Sequence, residues 1–225
     1  MLFEMTRSAQ AGLRKERQHE LISNHLANAN TTGFKKDILS FDRTLNPILT
    51  TDYSQGNLME TGNTLDLAIE GDGFFKINTP SGTRYTRDGN FTVDAIGRMV
   101  TQDGHPVMGK NGAVTLTGDD ISFGERGEVI MDSMVFDSLD LVTASDMRAF
   151  IKEGGNLFTL DPEKGAEIPA YEARLHQGAL EGSNISTVTE MTHLIDAQRM
   201  FESSGKVMRT SDETDARANQ MGRPA

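Results

Sequence analysis

Between residues 58 and 170 glycine cuts the chain into pieces too short for helices. Phe74 to Ile77, Phe91 to Val93 and Arg98 to Thr101 are strand-length runs, and Asp72-Gly73, Asp88-Gly89 and Asp103-Gly104 stand between them. An Asp-Gly pair supplies the positive φ that a tight hairpin requires. A mostly antiparallel β domain is therefore expected here. Aspartate beside glycine also occurs in calcium loops, but no window carries the twelve-residue ligand pattern with its closing glutamate, and turn chemistry accounts for the pairs.

The two ends are built differently. Met191, Leu194, Gln198, Phe201, Gly205 and Met208 alternate spacings of three and four, the a/d positions of a heptad. Val188 and Ile195 widen this stripe. A fully buried large apolar side chain contributes roughly 1.5–3 kcal/mol, so four of them cannot hold a helix of this length unless it packs on something. Residues 1 to about 30 carry Leu2, Met5, Ala9, Gly12, Leu13, Leu21, Ile22 and Leu26, an interrupted apolar side suited to packing against other helices. Periodicity alone admits either two helices of one α+β domain or a coiled coil.

Composition narrows function. The 225 residues are 36% hydrophobic, enough for an ordinary core, and their net charge of −11 disfavours nucleic acid and anionic lipid as partners. No apolar run approaches a bilayer's width, and the first residues lack the apolar stretch and small-residue site of a cleavable export signal. Twelve methionines and no tryptophan suggest adaptable apolar surfaces, and with no cysteine there are no disulfides or thiolate metal sites.

Catalysis finds little support. No two of the five histidines stand at helical zinc spacing, and Glu190-x-x-His193 appears once where a di-iron bundle needs it twice. Neither a phosphate loop nor a nucleophile elbow is present. Catalytic, cofactor and metal residues are therefore assigned to none, and no cofactor is expected. Acidic residues leave open a remote carbohydrate-binding or carbohydrate-processing β protein.

NHLANANTTGFKK, residues 24 to 36, closes the first helix with an excess of amides. Asn30 to Gly33 suits a helix terminus, since Asn and Gly tolerate left-handed backbone. This stretch resembles the signature after the first helix of bacterial flagellar rod and hook proteins. TGNTLDLAIEGDGFFKI, RYTRDGNFTVDAIGRMVTQDGHPVMG, the GGNLF of residues 154 to 158 and QGALEGSNISTVTEMTHLIDAQRMFESSGKVM resemble that family's further blocks, in the same order and over nearly the whole chain. His25 departs from the Asn more usual there, and SDETDARANQMGRPA departs at the end.

The resemblance implies a non-enzymatic structural subunit of the basal-body rod, polymerising through its terminal helices into the shaft that transmits torque. It implies an α+β fold in which the N- and C-terminal helices pair as a coiled-coil-like core around which a central, mostly antiparallel β domain faces outward. The expected divisions are 1–45 for the first helix and turn, 46–60 for a linker, 61–170 for the β domain and 171–225 for the last helix. Implied partners are copies of itself, other rod or hook proteins and the flagellar type III export apparatus. The implied location is the periplasmic rod, reached without a cleavable signal. Only about a dozen residues separate Phe41 from YSQGN, which favours a proximal-rod over a distal-rod or hook type. The expected assembly residues are Asn28, Asn30, Thr31, Thr32, Gly33 and Phe34 at the turn, with the six heptad positions, because amides at a helix end can satisfy orphan carbonyls of a neighbouring subunit.

Overall fold

The computed structural model describes residues 2–42, 46–118 and 120–221; the side chains of 2–12, 201, 204 and 207–221 lie outside the description. Two α-helices, α1 (Leu2–Ala27) and α2 (Thr187–Met221), stand at the ends of a chain whose remaining regular structure is almost entirely strand. The chain divides into two compact units, one of Met1–Ala27, Leu39–Ile48 and Ser186–Ala225, the other of Asn28–Ile38 and Leu49–Ile185.

The second unit is organised by a six-stranded sheet in the order Phe150–Gly154, Leu157–Leu160, Gly82–Thr86, Phe74–Thr79, Leu141–Ala144, Glu167–Pro169. Every neighbouring pair in it is antiparallel. Successive strand residues face opposite sides, so Phe74 and Phe75 enter different cores. Phe74 joins Tyr85, Val142, Phe150 and Phe158, rings packed edge-on or tilted with centroids 4.4 to 5.3 Å apart for Phe74–Phe150, Phe74–Phe158 and Tyr85–Phe150. Phe75 and Ile77 join Leu67, Ile69, Met99, Val129 and Leu139 on the other side. That second core is covered by a three-stranded antiparallel sheet of Ile121–Phe123, Glu128–Met131 and Met134–Ser138.

The Asp-Gly pairs behave less uniformly than turn chemistry alone predicts. Gly104 has φ +81, as a hairpin turn needs. Gly89 instead lies so close to the next backbone that a Cβ would meet the Leu67 carbonyl oxygen at 1.6 Å, and near Asp72-Gly73 the positive φ belongs to Gly71. Other hairpins turn at Asp94 to Gly97, where the Asp94 carboxylate accepts from the amides of Ile96 and Arg98, and at Asp132-Ser133 with φ 50 and 66.

The expected helix pair forming a coiled-coil-like core is overturned. Among the described residues the protein is a mostly antiparallel β structure with two helices, and the heptad side chains Met191 and Gln198 face solvent rather than a partner helix. Met191 is 52% exposed and Gln198 is exposed, whereas the buried described side chains of α2 are Glu190 and Ala197. Within the first unit the buried described side chains of α1 are Ile22 and His25, with His25 Nδ1 3.4 Å from Glu190 Oε2. A small residue and an ionisable contact replace the knobs that a coiled coil requires.

Candidate functional site at the turn after the first helix

Beyond Ala27 the chain makes two tight steps, the Thr31 amide donating to the Asn28 carbonyl at 3.1 Å and the Phe34 amide to that of Thr31 at 3.4 Å. Gly33 adopts φ +66, and a Cβ there would stand 2.5 Å from the Asp88 nitrogen. Only glycine satisfies both conditions without strain. The Thr32 hydroxyl donates to Asp88 Oδ1 at 2.8 Å, and the Thr32 carbonyl accepts from Asn156 Nδ2 at 2.8 Å. Phe34 is buried, with the Lys152 ammonium 4.3 Å from its ring centroid. Lys152 also binds Asp37 at 2.9 Å and donates to the Lys35 carbonyl.

Lys35 is the centre of this arrangement, buried together with Glu181 and Arg87. Its Nζ donates to Glu181 Oε1 at 2.6 Å and to the Ser54 carbonyl at 2.8 Å. The same Glu181 oxygen accepts from the Gly56 amide at 2.8 Å, and the Glu181 carbonyl accepts from the Gly33 amide at 2.7 Å. Arg87 lies 3.6 Å from Glu181 Oε2, donates to the carbonyls of Ile69 and Gly71, and sits over Phe74. Asn184 completes the closure, accepting from the Lys36 amide at 2.8 Å and donating to the Asp52 carbonyl at 2.9 Å. Gly56 fits because a Cβ there would stand 2.0 Å from the Gly182 oxygen.

Two cations thus share one carboxylate in a dry environment. Burial, reinforced by the neighbouring Arg87 charge, pushes the Lys35 ammonium below its ordinary range, although Glu181 opposes this. Burial lowers Arg87 likewise, again against Glu181. Burial raises the Asp88 carboxyl, partly offset by its bonds from Thr32 and Asn90. This is the chemistry of a clasp. It ties the segment entering from the first helix (residues 31–37) to the segment leading to the last (residues 181–184). Among the described residues no group of three His, Cys, Asp or Glu is placed to hold a metal ion.

The structure brings Thr32, Gly33 and Phe34 into this clasp. Asn28 and Thr31 are half-buried beside it, the Thr31 hydroxyl 3.4 Å from Asn28 Oδ1, while Asn30 is exposed. The heptad positions belong to the other unit: Leu194 and Gly205 are half-buried, Met191 and Gln198 exposed, and the side chains of Phe201 and Met208 lie outside the described residues. Sequence reasoning missed Lys35, Arg87, Glu181, Asn156 and Asn184 as a site. Their signal was present in the recurring blocks, since RYTRDGN, GGNLF and GALEGSN each contribute one or more of them.

Two family models match. One, described as the flagellar hook protein FlgE/F/G D1 domain, covers residues 68–131, and another, the flagellar basal body rod FlgEFG protein C-terminal, covers 176–221. Full-length relatives match as well. The flagellar basal-body rod protein FlgF of Caulobacter vibrioides is 37% identical over 227 residues, covering 92% of this chain and 91% of that protein. FlgG of Bacillus subtilis is 33% identical over 235 residues, covering 86% and 89%, and FlgF of Rhizobium meliloti 30% identical over 212, covering 88% of each. The chain belongs to the flagellar basal-body rod protein family, a family of structural proteins.

Proposed function

We propose that this chain is a structural subunit of the flagellar rod, of the proximal FlgF type, that acts by assembling and bearing load rather than by catalysis. The observation that carries this is similarity to FlgF along nine-tenths of both chains. The clasp gives it a physical basis. A shaft subunit under torque must keep its β unit from being pulled away where the chain enters and leaves it, and the buried Lys35–Glu181 bond joins those two segments. In this reading, copies of the chain and neighbouring rod or hook proteins are its partners, the flagellar type III apparatus exports it, and the periplasmic rod is its location. Asn28, Asn30 and Thr31, with the α2 positions Met191, Leu194, Gln198, Phe201, Gly205 and Met208, supply contacts to neighbours.

Similarity to FlgG favours a distal-rod variant of the same reading. Deleting the gene and imaging purified basal bodies separates them. A proximal subunit leaves basal bodies without an assembled rod, and a distal one leaves a proximal stub. An intact rod lacking only its hook would refute the rod assignment, as would glycan turnover by the purified protein with motility unaffected.

A further inference from the structure

The β unit carries two further features on opposite sides, one of which shares Lys152 and Asp37 with the rim of the clasp. The first is the edge strand Met134–Ser138, bonded along one side to Glu128–Met131. Met134, Val135 and Phe136 follow one another and are 65%, 65% and 62% exposed, so both faces of this strand carry large apolar side chains into solvent. Aspartates bracket the trio, Asp132 at the turn and Asp137 at the far side, where one Asp137 oxygen accepts from Asn111 Nδ2 and the Ser138 amide and the other accepts no bond among the described residues. An exposed apolar edge of this kind is a liability unless it has a partner.

The second feature is a groove of about 620 Å³ beside the other sheet's edge strand Phe150–Gly154. Leu49 and Ile151, 64% and 43% exposed, and the ring of Tyr53 give it apolar walls. Arg148, Lys152 and Lys164 give it three cations; Lys152 is paired with Asp37 at 2.9 Å and Lys164 with Asp161 at 3.0 Å, which leaves one net positive charge at its wall. A net positive wall stands out in a chain with 33 acidic and 22 basic residues.

We propose that the Asp132–Ser138 edge of one copy docks into the Arg148/Lys152/Lys164 groove of a second copy. Apolar trio meets apolar wall, and flanking aspartates meet the cations, which supplies both attraction and register. The two features belong to opposite sides of the six-stranded sheet. The edge strand extends the layer over the Phe75 core, and the groove is walled by Tyr53 and Phe150 of the Phe74 core. A contact between unlike surfaces on opposite sides of one rigid unit is heterologous and open-ended, the geometry of a filament rather than of a closed dimer. Its size keeps it conditional. Seven residues in a groove bury well under the roughly 1,200 Å² of a stable interface, so it holds only when other contacts between the same subunits raise the effective concentration. This deepens the rod-subunit reading and rests on it for the identity of the second copy.

The chain has no cysteine, so engineered thiols react alone. Full-length Val135→Cys protein is mixed at high concentration with full-length Thr50→Cys protein, Thr50 lining the groove, and treated with a short bis-maleimide. The expected products are mixed dimers exceeding both homodimers several-fold, reduced by high salt and by Arg148→Glu with Lys164→Glu in the groove partner. A protein carrying both cysteines should give a ladder of oligomers. Predominant Val135–Val135 dimers would overturn the proposal in favour of strands pairing with themselves. Mixed dimers no more abundant than those from a thiol pair placed at Asn63 and Thr50 would overturn it outright. Because the rod assignment is read separately, from the protein's presence in isolated rods, failure of the cross-link leaves that assignment standing.

Discussion

Gly33 and Gly62 both hold left-handed backbone, φ +66 and +75, but differ in what surrounds them. Nothing lies within 4 Å of a Cβ at Gly62, so Gly62→Ala should cost only the conformational term of about 1–2 kcal/mol. Gly33→Ala adds a collision with the Arg87–Asp88 backbone and should cost clearly more, read as the difference between two urea midpoints. The charges nearby give a second ordering. Glu181→Gln leaves Lys35 and Arg87 buried without an anion and should cost about 3–5 kcal/mol. Lys35→Met leaves Arg87 with its carboxylate and should cost less; the reverse order would show that Arg87, not Lys35, is the partner that matters. Asp88 predicts a pH effect. Its folded carboxyl is raised above the ordinary 3.8, so the folded state holds the proton more tightly and this group's contribution grows as pH falls from above the raised value towards 3.8. Asp88→Asn keeps the acceptor for Thr32 and removes the buried charge. It should be more stable than the parent at pH 7, with the gap closing on acidification; a gap independent of pH would mean that the charge is not penalised.

Elements differ in how much of themselves they hide. The strands Leu67–Glu70 and Phe74–Thr79 bury Leu67, Ala68, Ile69, Phe74, Phe75 and Ile77 almost completely, whereas α2 leaves Val188, Met191 and Ile195 at 77%, 52% and 50% exposure. Protection follows buried contacts, so backbone amides from Thr187 to Lys206 should exchange fast in the dilute protein and those of the two strands slowly. Equal protection of helix and strand would contradict an α2 that awaits a neighbour. The same comparison marks what sequence revealed. Strand-length runs between glycines located the β region because each run needs only local alternation and a turn. The heptad led one residue astray. Glu190 and Ala197, not Met191 and Gln198, face inward, and an inward glutamate opposite His25 is invisible to a reading that equates apolar with buried. The clasp was hidden for the same reason, since Lys35, Arg87 and Glu181 look like surface charges until the fold brings together segments 146 positions apart.

At the scale of the whole molecule, the amide-rich turn separates into two sets with different work. Thr32, Gly33 and Phe34 are spent inside the β unit, so their loss must appear as lost stability. Asn30 is exposed and Asn28 half-buried, and no core depends on Asn30. A surface substitution away from packed features changes stability by no more than about 0.5 kcal/mol, so Asn30→Ala should fold like the parent. If the turn meets a neighbouring subunit, that same substitution, alone or with Asn28→Ala, should nevertheless reduce swimming and the yield of rods. Thr32→Val serves as the opposite control, lowering the urea midpoint first and impairing assembly only as far as the folded population falls. Plotting rod yield against midpoint for the three variants decides the matter. If Asn30→Ala lies on the line set by Thr32→Val, the amides do nothing but fold the chain; if it lies well below that line, they join one subunit to the next.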